Sequence, residues 1–344
     1  MTVTNAGLRS GDCITAVKLA SLHVCATEQA FAVLTNQGKV VTWGHCQGFG
    51  DISPSVRDQL CADVLGVYST SHAFAAIKAG GSVVVWGGPS AGGDCSAVQD
   101  QLAAGIVTIH STKYAFAAIN AEGGVVVWGH AGMGGTCEGV MDHLRDGVVK
   151  IFSTAGAFAA IKTAGSVVTW GDATSGGDSR RVQKQLQDGI VNIYAAPYAF
   201  AAVTATGCVT TWGHTDGGGD SRAVSKQLAG DVRIICPASH AFAAVKGDGS
   251  VVTWGRADKG GDSRSVAGQL VGVRRVYSTL SAFAAVRAEG AVVTWGTPLN
   301  GGDSKFVRGE LAKGVVDIFS NDQAFAALKT DGAVVCWGHP DAGG

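Results

Sequence analysis

Charge is scarce in this chain. Asp, Glu, Lys and Arg make up 15% of its 344 residues, against roughly 25% in an average globular protein. The net charge of −1 disfavours bulk electrostatic attraction to nucleic acid or to a membrane surface. No uninterrupted apolar run approaches the roughly 20 residues of a membrane span. Residues 1–11 lack the apolar core of a signal peptide. None of the nine cysteines forms a Cys-x-x-Cys pair, and their number is odd. That is poor material for a disulfide framework or a zinc site, and a reducing compartment, cytoplasmic or nuclear, is the easier setting. No Ser-His-Asp, Cys-His or paired-carboxylate arrangement stands out either. The expectation is a non-enzymatic protein with no catalytic residue, metal or cofactor.

What the chain has is repetition. Eight tryptophans, Trp43, Trp86, Trp128, Trp170, Trp212, Trp254, Trp295 and Trp337, follow one another at gaps of 43, 42, 42, 42, 42, 41 and 42 residues. A phenylalanine lies 12 residues before each, and a glycine five before each. A fixed period of this size signals a solenoid, propeller or array. The 344 residues therefore read as one repeat domain of eight units centred on those tryptophans. A residue present in every copy is expected to be packing, and a functional site should lie in what differs between copies.

One unit shows how each is built. Ile106 to Ser111 alternates β-branched and polar residues, the period of a half-buried strand. Ala115 to Asn120 (AFAAIN) follows, with small alanines flanking one Phe. Gly123 turns the chain into Val125 to Trp128, a third strand. In the preceding linker, Gly92-Gly93-Asp94 leads into CSAVQDQLAAG. Asp94 suits an N-cap, Val98 and Leu102 share one helix face, and Gly105 ends it. The spacing predicts three strands and one helix of two to three turns per unit, with neighbours stacked because so small a unit cannot bury its apolar face alone.

The fold class expected is an all-β repeat protein with short helices, closed into a propeller-like ring. Residues after Gly338 stop where a linker is due, and Ser10-Gly11-Asp12 supplies one before the first unit. The N-terminal segment would then complete the last unit. An open β/α solenoid, or a piece of a longer array, is the alternative.

The run from Val148 to Gly171 (VVKIFSTAGAFAAIKTAGSVVTWG) and that from Asp331 to Gly338 (DGAVVCWG) resemble the repeat of the regulator of chromosome condensation family. That resemblance implies a rigid β-propeller used for binding. The family includes a nucleotide exchange factor for a nuclear GTPase, a plant ultraviolet photoreceptor and modules of ubiquitin ligases. This chain has Ala157-Phe158 where family repeats carry His-Ser or His-Thr.

Most recurrent motifs have plain structural readings. The tryptophans share one strand-end position, so packing is favoured over a chromophore. Gly-Gly-Asp-Ser at 176–179, 218–221, 260–263 and 301–304 lacks the Lys of a phosphate loop and the several carboxylates of a calcium loop, leaving capping. His45, His130, His214 and His339 follow Trp-Gly and should lie along one rim. Charge is what varies. Residues 1–172 hold 9 Lys and Arg against 12 Asp and Glu, and residues 173–344 hold 17 against 15. Arg180, Arg222, Arg264 and Lys305 occupy one repeat position in four successive units, and Arg181, Lys184, Lys226 and Arg308 extend the set. Stacking would align them as a basic arc on the first helical turns, against the positive helix ends. The candidate partner is an acidic protein or peptide, and a solvated face is the plain reading. The function expected is an interaction scaffold. A regulatory propeller of exchange-factor or ubiquitin-ligase type and a glycan-binding lectin are the alternatives; no unique long insertion favours the former, and the differing post-Trp loops disfavour the latter.

Overall fold

The computed structural model describes residues 23–44 and 52–344. These residues form eight antiparallel sheets, each of three strands consecutive in sequence. Sheet 3 comprises Ile106–Ser111, Ala115–Asn120 and Val125–Gly129, as the alternation in its sequence predicts. Phe116 pairs with Trp128 in its register. The equivalent rings stack in every sheet, with centroids 5.1–5.5 Å apart.

Three short strands cannot bury both of their apolar faces, so the sheets stack. Phe116, Ala118, Val126 and Trp128 of sheet 3 lie on Ala73, Ala75 and Ile77 of sheet 2. The alanines form a thin floor that lets the next sheet's aromatics approach. Burying one Phe and one Trp stabilises each joint by on the order of 10 kcal/mol before chain ordering offsets most of it.

Among the described residues, seven such cores join the eight sheets in chain order. A ring of eight would need an eighth, between sheets 8 and 1. Instead Phe31 and Trp43 of sheet 1 are 45% and 49% exposed, whereas the other seven tryptophans are at most 4% exposed. On sheet 8, Val334 is 61% exposed. Among the described residues no core joins sheet 8 to sheet 1; the eight three-stranded sheets with short helical linkers are the all-β, propeller-like repeat architecture expected. Residues 1–22, assigned by sequence to completing the last unit, lie outside the described residues.

The linkers differ from expectation in type. Most are 3₁₀ segments, such as Ser96–Leu102 and Arg180–Leu186; Pro54–Gln59 is α-helical, with the Ser53 hydroxyl accepting from the Val56 amide. Pieces this short gain little from α-helical cooperativity, and 3₁₀ geometry serves short connectors. Leu102 is buried and Val98 half-buried against the same core, so the apolar spacing was read correctly. The capping aspartate sits one residue earlier than an N-cap. Asp94 Oδ1 accepts the Ser96 amide at 2.9 Å, and Asp178, Asp220, Asp262 and Asp303 repeat this turn.

The paired glycines explain the linker's path. The Gly92 carbonyl accepts the Trp128 indole N–H at 3.0 Å. With φ at +101°, a Cβ on Gly92 would lie 2.5 Å from the Phe116 ring, so glycine is required on both counts.

Candidate functional site

Along the linker edge, the structure places Arg180, Arg181 and Lys184 on one linker, Arg222 and Lys226 on the next, then Arg264, then Lys305 and Arg308. All eight are exposed; Arg180, Arg222, Arg264 and Lys305 share one repeat position, and Lys184 and Lys226 share another. They do not form a uniform basic strip. Arg180 Nη2 donates to Asp178 Oδ2 at 2.5 Å, and Arg222 and Arg264 reach Asp220 and Asp262 at 2.6 Å. Lys305 reaches Asp303 at 3.0 Å. The expected repulsion from a positive helix end is therefore absent, because 3₁₀ pieces of three to seven residues carry little dipole and each cation binds the aspartate two residues back. The Arg180 side chain and amide hold the Asp178 carboxyl down at about 2. Exposed pairs of this kind contribute at most about 1 kcal/mol. Over residues 178–189, 220–231, 262–272 and 303–314 the balance is nine Lys and Arg against seven Asp and Glu.

One residue on this edge escaped the sequence reading. Phe306 is fully exposed beside Lys305, where the three preceding linkers carry Arg181, Ala223 and Ser265. A cleft of about 370 Å³ lies on the same edge, lined by Asp216, Asp220, Arg222 and Arg256 among others.

A second surface lies on the rim formed by the turns between first and second strands. Backbone amides there climb from sheet to sheet. Glu28 donates to Ser71, Ser71 to Lys113, Lys113 to Ala155 and Ala155 to Pro197, at 2.9–3.0 Å. Pro197 has no N–H and interrupts the ladder, which resumes from Ser239 to Leu280 and from Leu280 to Asp322. Shallow clefts of about 420 and 320 Å³ flank the interruption. Polar backbone in these turns is largely consumed by the ladder.

The histidines that follow Trp-Gly behave as rim residues. His130 packs 6.4 Å from Tyr114, ring to ring; on the same rim His240, from a turn between first and second strands, lies 6.0 Å from Tyr198. Burial, and then the charges of Arg256 and Lys259, push the His240 pKa below its ordinary value. The suggested meeting of His339 with His45 falls on a residue outside those described. Among the described residues no group of three His, Cys, Asp or Glu side chains converges as a metal site, and no helix is long and apolar enough to cross a membrane.

The Gly-Gly-Asp-Ser serine has a role that went unread. Ser179 and Thr169 Oγ atoms lie 2.9 Å apart, and Ser221–Thr211, Ser263–Thr253 and Ser304–Thr294 repeat the pair at 2.9–3.0 Å. In earlier units the same two positions hold Val85 with Cys95 and Val127 with Cys137. Both members switch together, polar with polar and apolar with apolar. That covariation at spacing ten was available in the sequence.

No family model and no curated protein matches this sequence. Among solved structures, the chain is similar to Prp20p of Saccharomyces cerevisiae, at 14% identity over 83% of this chain and 82% of that one, with a TM-score of 0.41. That protein was described together with its binding to Gsp1p and histones. The chain is also similar to yeast RCC1 (Prp20) bound to Kap60, at 14% identity over 97% and 87%, TM-score 0.40. A third likeness is to the CRINKLY WD40 ectodomain of the receptor kinase ACR4 from Arabidopsis thaliana, at 11% identity over 93% and 96%, TM-score 0.39. The linker-edge residues have to be read from this chain itself.

Proposed function

We propose that this chain is a non-enzymatic interaction scaffold whose linker edge in the last four units binds an acidic protein or peptide. The observation that supports it most is Phe306, fully exposed between Lys305 and Arg308 on an edge that varies while the cores repeat. An exposed aromatic beside cations is the composition of an interface hot spot. The Asp partners hold Arg180, Arg222 and Arg264 in place, lowering the ordering cost of a contact. Arg181, Lys184, Lys226 and Arg308 supply the longer-range attraction, which salt should screen over about 10 Å at 0.1 M.

The test uses a labelled Glu-rich peptide carrying one aromatic residue, titrated with the full chain and read by anisotropy. Replacing Arg181, Lys184, Lys226 and Arg308 by Glu should abolish binding, and Phe306→Ser should weaken it, with melting unchanged. Equal binding by the reversed variant, or in high salt, would remove the linker edge from consideration.

A further inference from the structure

The first strands, from Ile106–Ser111 in sheet 3 to Val315–Ser320 in sheet 8, share an irregularity. Their register with the second strand slips by one residue near the start, as between Val148 and Lys150. The residue in between is a bulge residue, and bulges re-aim a side chain. In chain order these residues are Val107, Val149, Val191, Arg233, Arg274 and Val316, and all six are exposed. The valines are 48–63% exposed. Neighbouring first strands approach to within 8 Å between α-carbons, so the bulge residues form one row. The row lies at the end of the sheets that carries the hairpin turns between second and third strands, where the Val148 amide donates to Gly123 and the Ile190 amide to Gly165. That end is opposite the rim of the amide ladder.

Strand geometry does not demand an aliphatic residue here. The next position is polar in the same three strands, Thr108, Lys150 and Asn192. Arg233 and Arg274 show that the bulge itself accepts a charge. Three successive valines held at such a position make a contiguous exposed apolar surface, and surfaces of that kind mark interaction sites. The two arginines continue the same row. Neither makes an ion pair among the described residues, whereas Arg180, Arg222 and Arg264 on the linker edge are each held by an aspartate. A guanidinium without a partner beside an apolar strip fits a carboxylate brought by another molecule, and arginine is enriched at interfaces for that reason.

We infer that this row docks a protein segment whose aliphatic side chains lie on Val107, Val149 and Val191 and whose carboxylates reach Arg233 and Arg274. The valines supply the burial. The arginines give the segment a direction, because the apolar and basic parts of the row follow each other in a fixed order. The row shares no residue with the linker edge, so the two surfaces stand or fall separately.

A random peptide library displayed on phage and selected on the full chain tests this. One enriched class should carry aliphatic residues followed by Asp or Glu. Synthetic peptides of that class, read by anisotropy, should bind Val149→Lys and Arg274→Glu about tenfold more weakly, or worse, with melting unchanged. Arginine already stands at this position in two units, so Val149→Lys should fold; Val191→Lys serves if it does not. Reversing Arg181, Lys184, Lys226 and Arg308 to Glu on the linker edge should leave this binding as it was. Absence of the class, or binding that survives both row variants, would overturn the inference. So would self-association in sedimentation velocity that Val149→Lys removes, since the row would then join copies of the chain.

Discussion

The indole N–H of Trp212 donates to the Gly176 carbonyl at 3.0 Å, over 36 residues of sequence. Gly176 also has φ of +102°, and a Cβ there would lie 2.7 Å from the Phe200 ring. Gly176→Ala therefore combines backbone strain with overpacking of a filled joint, and should cost about 2–4 kcal/mol. Denaturant unfolding would measure it. A loss below that of an ordinary surface change would mean that the ring and linker can separate without consequence.

The tryptophans should divide unequally. Trp170 lies in the core between sheets 3 and 4, so Trp170→Ala should cost roughly 3–5 kcal/mol, as large aromatic truncations do. Trp43 occupies the same repeat position on an end face, and Trp43→Ala should cost no more than about 1 kcal/mol. Comparable losses at both sites would show that Trp43 is covered in solution.

The hydroxyl pair offers a test by exchange between units. Thr253 and Ser263 are both buried and 3.0 Å apart. Thr253→Val alone, or Ser263→Cys alone, strands one polar group and should cost about 1–2 kcal/mol. The double change imports the Val–Cys pair of sheet 3 and its linker, and should be near neutral. A double-mutant cycle reads the coupling directly, and simple additivity would deny the pairing.

Asp178 should titrate well below an ordinary aspartate. Its folded value of about 2 is depressed by Arg180, so the ionised form is favoured by folding. The associated stabilisation is present above the ordinary carboxylate range and is lost as pH falls towards 2. Carboxyl ¹³C shifts followed through acid should show the low midpoint, and Arg180→Gln should move it upward. A midpoint unaffected by that change would mean the side-chain pair is not populated in water.

The strands and stacking were legible because period two and period 42 are both imposed by burial. The segments chosen around Trp128 match the observed strands to within one residue. Linker geometry was less legible. Val98 and Leu102 report one buried face without distinguishing α from 3₁₀, and Asp94 can hold an amide from either position. Closure was not legible at all, since identical units can stack in a ring or in an open line, and the rotation per joint is not written in any single residue. At the candidate surface, the cations were found by their variation. Their aspartate partners hold a backbone amide as well as a cation, a double role that a capping position alone does not signal, and Phe306 stands out only as an aromatic where the three preceding linkers have Arg181, Ala223 and Ser265.

Collisional quenching of tryptophan emission by acrylamide, at high dilution, tests most directly the division of the tryptophans into seven buried and one exposed. With seven cores for eight sheets, one tryptophan of the eight should be readily quenched, and Trp43→Phe should remove that component while leaving the rest. Eight equally protected tryptophans, or an accessible component that survives Trp43→Phe, would contradict the division on which the account stands.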